Sequence, residues 1–386
     1  MAERCAVIGI GQTQYASKRG DLSIAGVVRE AAGRALTDAG LGYGDIDAVV
    51  LGKAPDMFEG VMMPELYLAD ALGAQGKPIL RVHTAGSVGG STAIVAAGLV
   101  KAGIHARVLT LGFEKQSESN AMWALSAKQP FSVHANAGAG GYFAPLVRGY
   151  IERSKAPSNI GILIAYKDRL NALKNPYAHL QIPDISPERV EQSPMLWEPI
   201  RYLESCPSSD GACAMVLASE DAARRAPHPV AWVCGTAMRS EPTMFAGRDE
   251  VNPQAGRDCA RDLYGQAGIQ DPRRDFDMAE IYVPFSWFEA MWLENLGFAE
   301  THGGGWRMVE EGATMLDGDL PVNASGGVLS SNAIGASGMV RFAEAALQVR
   351  GMAGEHQIDG VRRALGHAYG GGSQFFSMWV VSSDKP

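Results

Sequence analysis

Two stretches of this chain can be helical only if the helix is buried on nearly every side. In the first, Gly86 follows the polar turn at His83-Thr84. Gly89-Gly90-Ser91-Thr92-Ala93-Ile94-Val95-Ala96-Ala97-Gly98-Leu99-Val100 then carries almost nothing but small and apolar residues. In the second, Asn332-Ala333-Ile334-Gly335-Ala336-Ser337-Gly338-Met339-Val340 runs in the same manner into a small-residue helix reaching about Val349. Side chains this small around the whole circumference suit a helix packed tightly against a sheet or against its own twin. The two stretches stand 246 positions apart, a separation compatible with duplicated halves of which the first carries an insertion.

The pattern around them alternates strands and helices. Ala6–Ile10 reads as a buried first strand. Ile24, Val27, Val28, Ala31, Ala32, Ala35 and Leu36 then fall at helical spacing, with Ser23 as N-cap and Gly40 just past the end. Asp47–Gly52 is the next strand, Met62–Leu72 a second helix, and Arg107–Phe113 the strand after the small-residue helix, which predicts β-α-β-α-α-β for this region. From Glu114 to about Pro199 the sequence is mixed polar, aromatic and glycine-rich, including Asn136-Ala137-Gly138-Ala139-Gly140-Gly141-Tyr142 and Tyr177-Ala178-His179-Leu180-Gln181-Ile182-Pro183, and reads as an inserted cap. Ser209–Ala218 returns to a strand. A second series follows: a strand at Pro229–Cys234, a helix at Arg257–Ala267, a strand at Met278–Val283, a helix at Trp287–Leu296, the second small-residue helix, and a terminal strand pair, Ala364–His367 with Gln374–Val381. At 386 residues the chain exceeds one ordinary core. The expected division is 1–225, with the cap at about 114–199, and 226–386.

Several function classes drop out. A formal net charge of −8 without a basic cluster argues against nucleic acid. No window reaches the roughly 18 apolar residues of a membrane span, and the start lacks the pattern of a signal peptide, so a cytoplasmic protein is expected. Five cysteines, odd in number and without a C-x-x-C pair, indicate neither a zinc site nor a disulfide framework, and none falls where a thiol nucleophile would be needed. Gly9-Ile10-Gly11-Gln12-Thr13-Gln14 lacks the third glycine of a dinucleotide fingerprint.

What remains is a set of glycine-rich loops. Gly370-Gly371-Gly372 separates two apolar runs, and three glycines in succession let backbone N–H groups approach an anion. Alone such a loop is ordinary turn punctuation. Beside it stand the turn before Gly86, whose helix terminus presents partial positive charge, and Asn323-Ala324-Ser325-Gly326-Gly327.

Taken in order, these segments resemble the thiolase superfamily, and within it the sterol-carrier-protein-type thiolases and lipid-transfer-protein homologues. Gly9-Ile10-Gly11-Gln12-Thr13 is similar to the family's opening strand and turn, Ser209-Asp210-Gly211-Ala212 to its S-D-G-A turn, and Asn323–Gly327 to its N-x-S-G-G loop. The resemblance runs over essentially the whole chain and implies an α/β thiolase fold, five layers α-β-α-β-α from two similar halves. The departures are as informative. Where working thiolases carry the nucleophilic Cys of C-A-S-G, alignment on Gly89 places Gly86, and glycine forms no acyl-enzyme. The E-x-H-D-x-F or E-x-N-E-x-F motif reads Glu280-Ile281-Tyr282-Val283-Pro284-Phe285. G-H-P-x-G-A reads Ser331-Asn332-Ala333-Ile334-Gly335-Ala336, and the C-x-G-G-G motif reads Ala368-Tyr369-Gly370-Gly371-Gly372.

A retained pocket with both cysteines gone resembles the thiolase-like aldolases of bacterial steroid side-chain degradation. The resemblance implies retro-aldol cleavage of a large β-hydroxyacyl-CoA to a ketone and a short acyl-CoA. It implies no cofactor, with CoA entering as part of the substrate. It also implies a homodimer and a small acyl-CoA-binding partner with an OB-fold and a zinc ribbon. Tyr282 is the expected handler of the β-hydroxyl proton, directly or through water, which requires its pKa to fall from near 10 or a relay to help. The N–H groups of Gly370, Gly371 and Gly372 or the Gly86 terminus would hold the enolate, with Asn332, although Asn332 serves equally as a helix N-cap. Tyr369 or His367 would return the proton. A packing role for Tyr282, or a backbone hydrogen bond for His367, is the plainer reading of each residue. Trp287, Phe288, Met291 and Trp292 recur as core residues do. The missing cysteines also fit a non-catalytic acyl-CoA or lipid carrier, or a scaffold subunit. Ser87 as a substitute nucleophile is disfavoured because the helix-terminus position itself is glycine.

Overall fold

Every residue of the first strand, β1 (Cys5–Gln12), is buried, and from it the chain follows one plan twice. In the computed structural model, which describes residues 3–54, 60–119, 138–242 and 247–386, the first pass runs β1, α1 (Ile24–Ala39), β2 (Ala48–Gly52), α2 (Pro64–Leu68), β3 (Ile79–Val82), α3 (Val88–Lys101) and β4 (Arg107–Lys115). After an insertion containing α4 (Gly138–Ser154) and α5 (Ile160–Ala172), it closes with β5 (Asp210–Ser219). The second pass runs β6 (Ala231–Ser240), α6 (Gln254–Ala267), β7 (Met278–Glu280), α7 (Phe288–Asn295), α8 (Ile334–Arg350), β8 (Arg363–Gly370) and β9 (Phe375–Ser382).

The strands join in the order β3-β2-β4-β5-β1-β6-β9-β8-β7. Either side of the middle the wiring is the same. β5 lies between β4 and β1, antiparallel to both, with β2 parallel to β4 and β3 parallel to β2. β9 lies between β8 and β6, antiparallel to both, with β7 parallel to β8, and a parallel bridge from Ala279 to Val322 stands where the counterpart of β3 belongs. Two pairs, Ala6 with Trp232 and Val7 with Ala231, join the halves into one ladder.

Helix α1 packs on β1, β5 and β4, and α6 on β6 and β9, while α3 and α8 lie against each other and touch strands of both halves. The layers are therefore α-β-α-β-α, with the two small-residue helices in the middle. Their composition is a steric requirement. A Cβ on Gly89 would stand 2.3 Å from the Met339 nitrogen, and one on Gly338 2.9 Å from that of Gly90, so the helices cross backbone on backbone. On the outer face, α1 buries Val27, Val28, Ala31, Ala32, Ala35 and Leu36; its Ser23 cap accepts from the Gly26 N–H, and Gly40 closes it at φ +66°.

Some elements differ from the sequence expectation. Ile79–Val82, to which the sequence pattern assigns no element, is the edge strand β3, so the first region is β-α-β-α-β-α-β; β3 pairs in parallel with β2. The Met62–Leu72 helix shrinks to Pro64–Leu68, and α6 starts earlier, at Gln254. The strand expected to reach Val283 stops at Glu280, because side chains replace its next backbone partners: Asn323 Oδ1 accepts the Ile281 N–H at 2.9 Å and His367 Nδ1 that of Tyr282 at 3.2 Å. Within the insertion, α5 buries Ile160, Ile164 and Ala165 together with Lys167, Asp168 and Arg169. Residues 136 and 137 of the glycine-rich run lie outside the described residues.

Candidate active site

The site begins with the segment that leaves the sheet after β7. Its Tyr282 backbone is clamped from both sides: the N–H donates to His367 Nδ1, and the carbonyl accepts from Trp292 Nε1 at 3.0 Å. Glu280, two residues earlier, is buried and tied to Ser325, accepting its backbone N–H at 3.0 Å and its hydroxyl at 2.9 Å, and it pairs with Arg341 of α8. The Asn323–Gly327 loop thus staples the Tyr282 segment to the central helix layer. With its backbone fixed, the Tyr282 ring meets Tyr369 edge to face, centroids 5.4 Å apart. Tyr369 packs on Trp292 and Phe288 of α7 and on Phe143 of α4. The aromatic spacing on α7 therefore serves packing, and what it packs is the wall of the site.

Gly86 lies against this wall. A Cβ there would be 3.1 Å from the Tyr369 carbonyl oxygen, 3.3 Å from Gly370 Cα and 3.9 Å from the Tyr282 hydroxyl. Ala85, immediately before it, is held at φ +50°, a left-handed geometry that costs a non-glycine residue of order 1 kcal/mol and clusters at functional sites. Of the three terminal glycines only Gly370 meets the α3 terminus: its Cβ would fall 2.3 Å from the Gly86 nitrogen and 2.4 Å from that of Ser87. Gly371 and Gly372 turn left-handed, at φ +64° and +62°. A Cβ on Gly371 would meet the Phe375 ring and one on Gly372 the Tyr142 hydroxyl, both at 2.8 Å, while Arg248 binds the carbonyls of Gly372 and Ser373. Ser87 is fully buried and engaged with Ser377.

Asn332 marks the start of the second central helix without capping it. The N-cap of α8 is Ala333, with no side-chain bond. Asn332 Oδ1 instead accepts from the Ser337 hydroxyl at 2.8 Å and the Tyr282 hydroxyl at 3.4 Å, and its Nδ2 donates to Cys206 Sγ at 3.2 Å. Asn332, Cys206, Phe285, Trp197, Arg169 and His179 line a cleft of about 430 Å³, within the usual size range of small-molecule sites.

Burial sets the protonation states. It pushes the Tyr282 and Tyr369 hydroxyls well above the usual phenol range, Tyr369 further raised by its neighbour Tyr282. The fall in pKa that a resting Tyr282 base requires does not occur: both rings are protonated donors. His367 is pushed down to about 3 by burial, and its Nδ1 accepts from a backbone N–H, so it is neutral and holds Tyr282 in place. The Cys206 thiol is raised to about 12, again by burial, and keeps its proton.

Cys206 is the main residue the sequence reading missed at this end of the cleft. It stands three positions before the S-D-G-A turn. Arg169 fixes it there by donating to the carbonyls of Leu203, Ser205 and Leu329, and the Cys206 N–H bonds the Pro284 carbonyl at 2.9 Å. Arg169 and Pro284, which hold this turn, are both far from Cys206 in sequence. Among the described residues, no cluster of His, Cys, Asp and Glu could hold a metal ion, and no helix is long and apolar enough to cross a membrane.

Comparison with known proteins agrees with this geometry. A family model described as thiolase C-terminal domain-like matches residues 237–383. Acetyl-CoA acetyltransferase of Methanothermobacter thermautotrophicus is 30% identical over 375 residues, covering 95% of this chain and 96% of that one. Human sterol carrier protein 2 is 28% identical over 400 residues, covering 98% of this chain and 72% of the relative. Among solved structures, the Ltp2-ChsH2(DUF35) aldolase superposes with a TM-score of 0.84 at 28% identity, covering 99% of this chain and 98% of that one. Relatedness of this degree along almost the whole length makes the chain a member of the thiolase superfamily.

Proposed function

We propose that this protein is a carbon-carbon lyase that cleaves a large β-hydroxyacyl-CoA, a steroid derivative, by a retro-aldol reaction to a ketone and a short acyl-CoA. The observation that carries this reading is the space at Gly86. Where a thiolase has its nucleophile there is no side chain, and the place a Cβ would take is bounded by the Tyr369 carbonyl, Gly370 and the Tyr282 hydroxyl. Retro-aldol cleavage needs no covalent nucleophile, but it does need an enolate held and protonated. The α3 terminus at Gly86, with Gly370 against it, supplies the electropositive wall. Tyr282, held as a phenol, is assigned as donor to the enolate, with Tyr369 as the second phenol of the site and Asn332 orienting Tyr282. His367 is assigned as a positioning residue. The name of the aldolase at 28% identity supports this class of chemistry.

CoA enters only as part of the substrate. A small partner with an OB-fold and a zinc ribbon is proposed to deliver the acyl-CoA, as the two-component name of that aldolase suggests. A homodimer is proposed through α2 and the sheet edge at β3, where Met62, Met63, Leu66, Tyr67 and Leu80 are exposed. Five cysteines without a disulfide suit a reducing cytoplasm. We assign the halves as 1–225 and 226–386, with the segment at about 114–199 inserted in the first.

Tyr282→Phe tests the assignment, because it keeps the ring contacts and removes the proton. With the partner present and steroid β-hydroxyacyl-CoA as substrate, mass spectrometry of the products is expected to show a rate lower by about 10²–10⁴-fold. An unchanged rate removes Tyr282 from the chemistry. Failure of the parent protein to release a ketone and a short acyl-CoA would favour the carrier function instead.

A further inference from the structure

A retro-aldol step begins by removing the β-hydroxyl proton, and neither buried phenol of the site is a resting base. The 430 Å³ cleft reaches the site at Asn332, which bonds the Tyr282 hydroxyl, and the groups lining it narrow the choice. Among the described residues, the titratable ones that line it are Arg169, His179, Tyr202 and Cys206. Arg169 has given its donors to three carbonyls and accepts no proton. Phenols and thiols as a class keep their protons near neutrality. His179 is the remaining one.

His179 is mounted rigidly beside Asn332. Its backbone N–H donates to Ser331 Oγ at 2.8 Å, and its ring Nδ1 meets Ser209 Oγ at 2.9 Å. The same Ser209 hydroxyl accepts the Asn332 backbone N–H at 3.1 Å. Ser331, just before the second central helix, and Ser209, just before β5, thus fix the main chain and the ring of a residue that arrives from the insertion, between α5 and the S-D-G-A turn. Among the described residues nothing hydrogen-bonds Nε2, while the residue itself lines the cleft. Burial keeps the imidazole below its usual pKa, with the Asp210 carboxylate pulling weakly the other way, so the ring is neutral at physiological pH. Arg169 and Cys206 are the other ionisable groups on this part of the wall.

We infer that His179 is the general base of the reaction, a role that rests on the retro-aldol reading. Nδ1–H donates to Ser209 Oγ, which presents the Nε2 lone pair to the cleft. The β-hydroxyl proton passes to Nε2, and the O–H electron pair becomes the second bond of the ketone carbonyl. The Cα–Cβ bond breaks, and its electron pair is delocalised into the thioester as an enolate. Cα takes a proton from the Tyr282 hydroxyl. The His179 imidazolium then returns its proton to the Tyr282 phenolate through cleft water, leaving the protein unchanged.

The test uses the full-length protein with its partner and a steroid β-hydroxyacyl-CoA. His179→Gln is expected to lower kcat by about 10²–10⁴-fold while binding the substrate analogue that lacks the β-hydroxyl within about threefold of the parent. That binding shows the variant to be folded. The acid limb of the parent kcat/KM profile, which lies below the ordinary imidazole range because burial lowers the His179 pKa, is expected to vanish. His179→Ala is expected to regain activity with added imidazole, which a merely structural role would not allow. Cleavage by His179→Gln within threefold of the parent, or an acid limb that persists in it, overturns the assignment while leaving the retro-aldol reading intact. If the parent protein cleaves no β-hydroxyacyl-CoA, the underlying reading fails and this one with it.

Discussion

The two central helices begin in the same way and end up doing different things. The α3 terminus offers space and backbone: Gly86 has no side chain, Ala85 is forced left-handed, and Gly370 is pressed onto the Gly86 and Ser87 nitrogens. The α8 terminus offers side chains: Asn332 joins Tyr282, Ser337 and Cys206, and its backbone shares Ser209 with His179. A duplicated frame brings both termini to Tyr282, whose hydroxyl bonds Asn332 at 3.4 Å and stands 3.9 Å from the place of a Gly86 Cβ. Having two of them lets one supply the electrostatic part of the site while the other supplies the proton-handling part.

The largest expected effect tests the frame itself. Gly89→Val drives a side chain into the Met339 backbone and is expected to cost more than about 4 kcal/mol, leaving little folded protein. In the same helix Gly98 is exposed and has nothing within 4 Å of its notional Cβ. Gly98→Ala is therefore expected to stabilise by up to about 1 kcal/mol. Denaturant melts of the pair decide whether close packing or helix propensity governs α3.

The next effects separate the two termini. Asn332→Ala is expected to lower kcat by about 10²-fold or more with little loss of stability, since it unties Tyr282 at the site. Gly86→Ala is expected to cost about 1–3 kcal/mol of stability, because the Tyr369 carbonyl must yield by a few tenths of an ångström. If Asn332→Ala were the variant that melted early while its kcat held, the division of labour between the termini would be wrong.

The effect that is smallest at neutral pH, and grows only as pH falls, concerns His367. Its pKa is about 3 in the folded protein against about 6.5 unfolded. As pH falls from 6.5 toward 3, the unfolded chain takes up a proton that the folded one refuses. Folding stability therefore drops with falling pH, by at most about 1.4 kcal/mol per unit from this group. Replacing His367 by Asn should flatten the slope of stability between pH 6.5 and pH 4, measured by denaturant titration. An unchanged slope would place His367 in water rather than among Trp292, Phe376 and Tyr369.

Much of the fold was legible before any coordinates. Ser23 and Gly40 bound α1 because capping and left-handed termination are local events, and the glycine spacing of α3 and α8 announced helices without room for side chains. The edge strand β3 was not legible, because its four residues have no periodicity of their own and are a strand only through pairing with β2. The early end of β7 was hidden for the same reason, since Asn323 and His367, which replace its backbone partners, are 42 and 85 positions from the residues they bind.

The site divides along similar lines. Absence is written in a sequence: Gly86 in place of a nucleophile, Ala368 in place of the acid-base Cys, and Tyr282 at the His or Asn position of the second motif could be read directly and excluded an acyl-enzyme. Protonation was not written there. Burial of Tyr282 and Tyr369 among α7, α4 and β8 keeps both phenols protonated, which turns an expected base into a donor. The gathering of Cys206 and His179 around Asn332 arises from hydrogen bonds across more than 120 positions. Residue identity settles which chemistry is impossible, because a missing atom cannot react. Which group gives and which takes a proton depends on dielectric surroundings and neighbours, and only the folded chain supplies those.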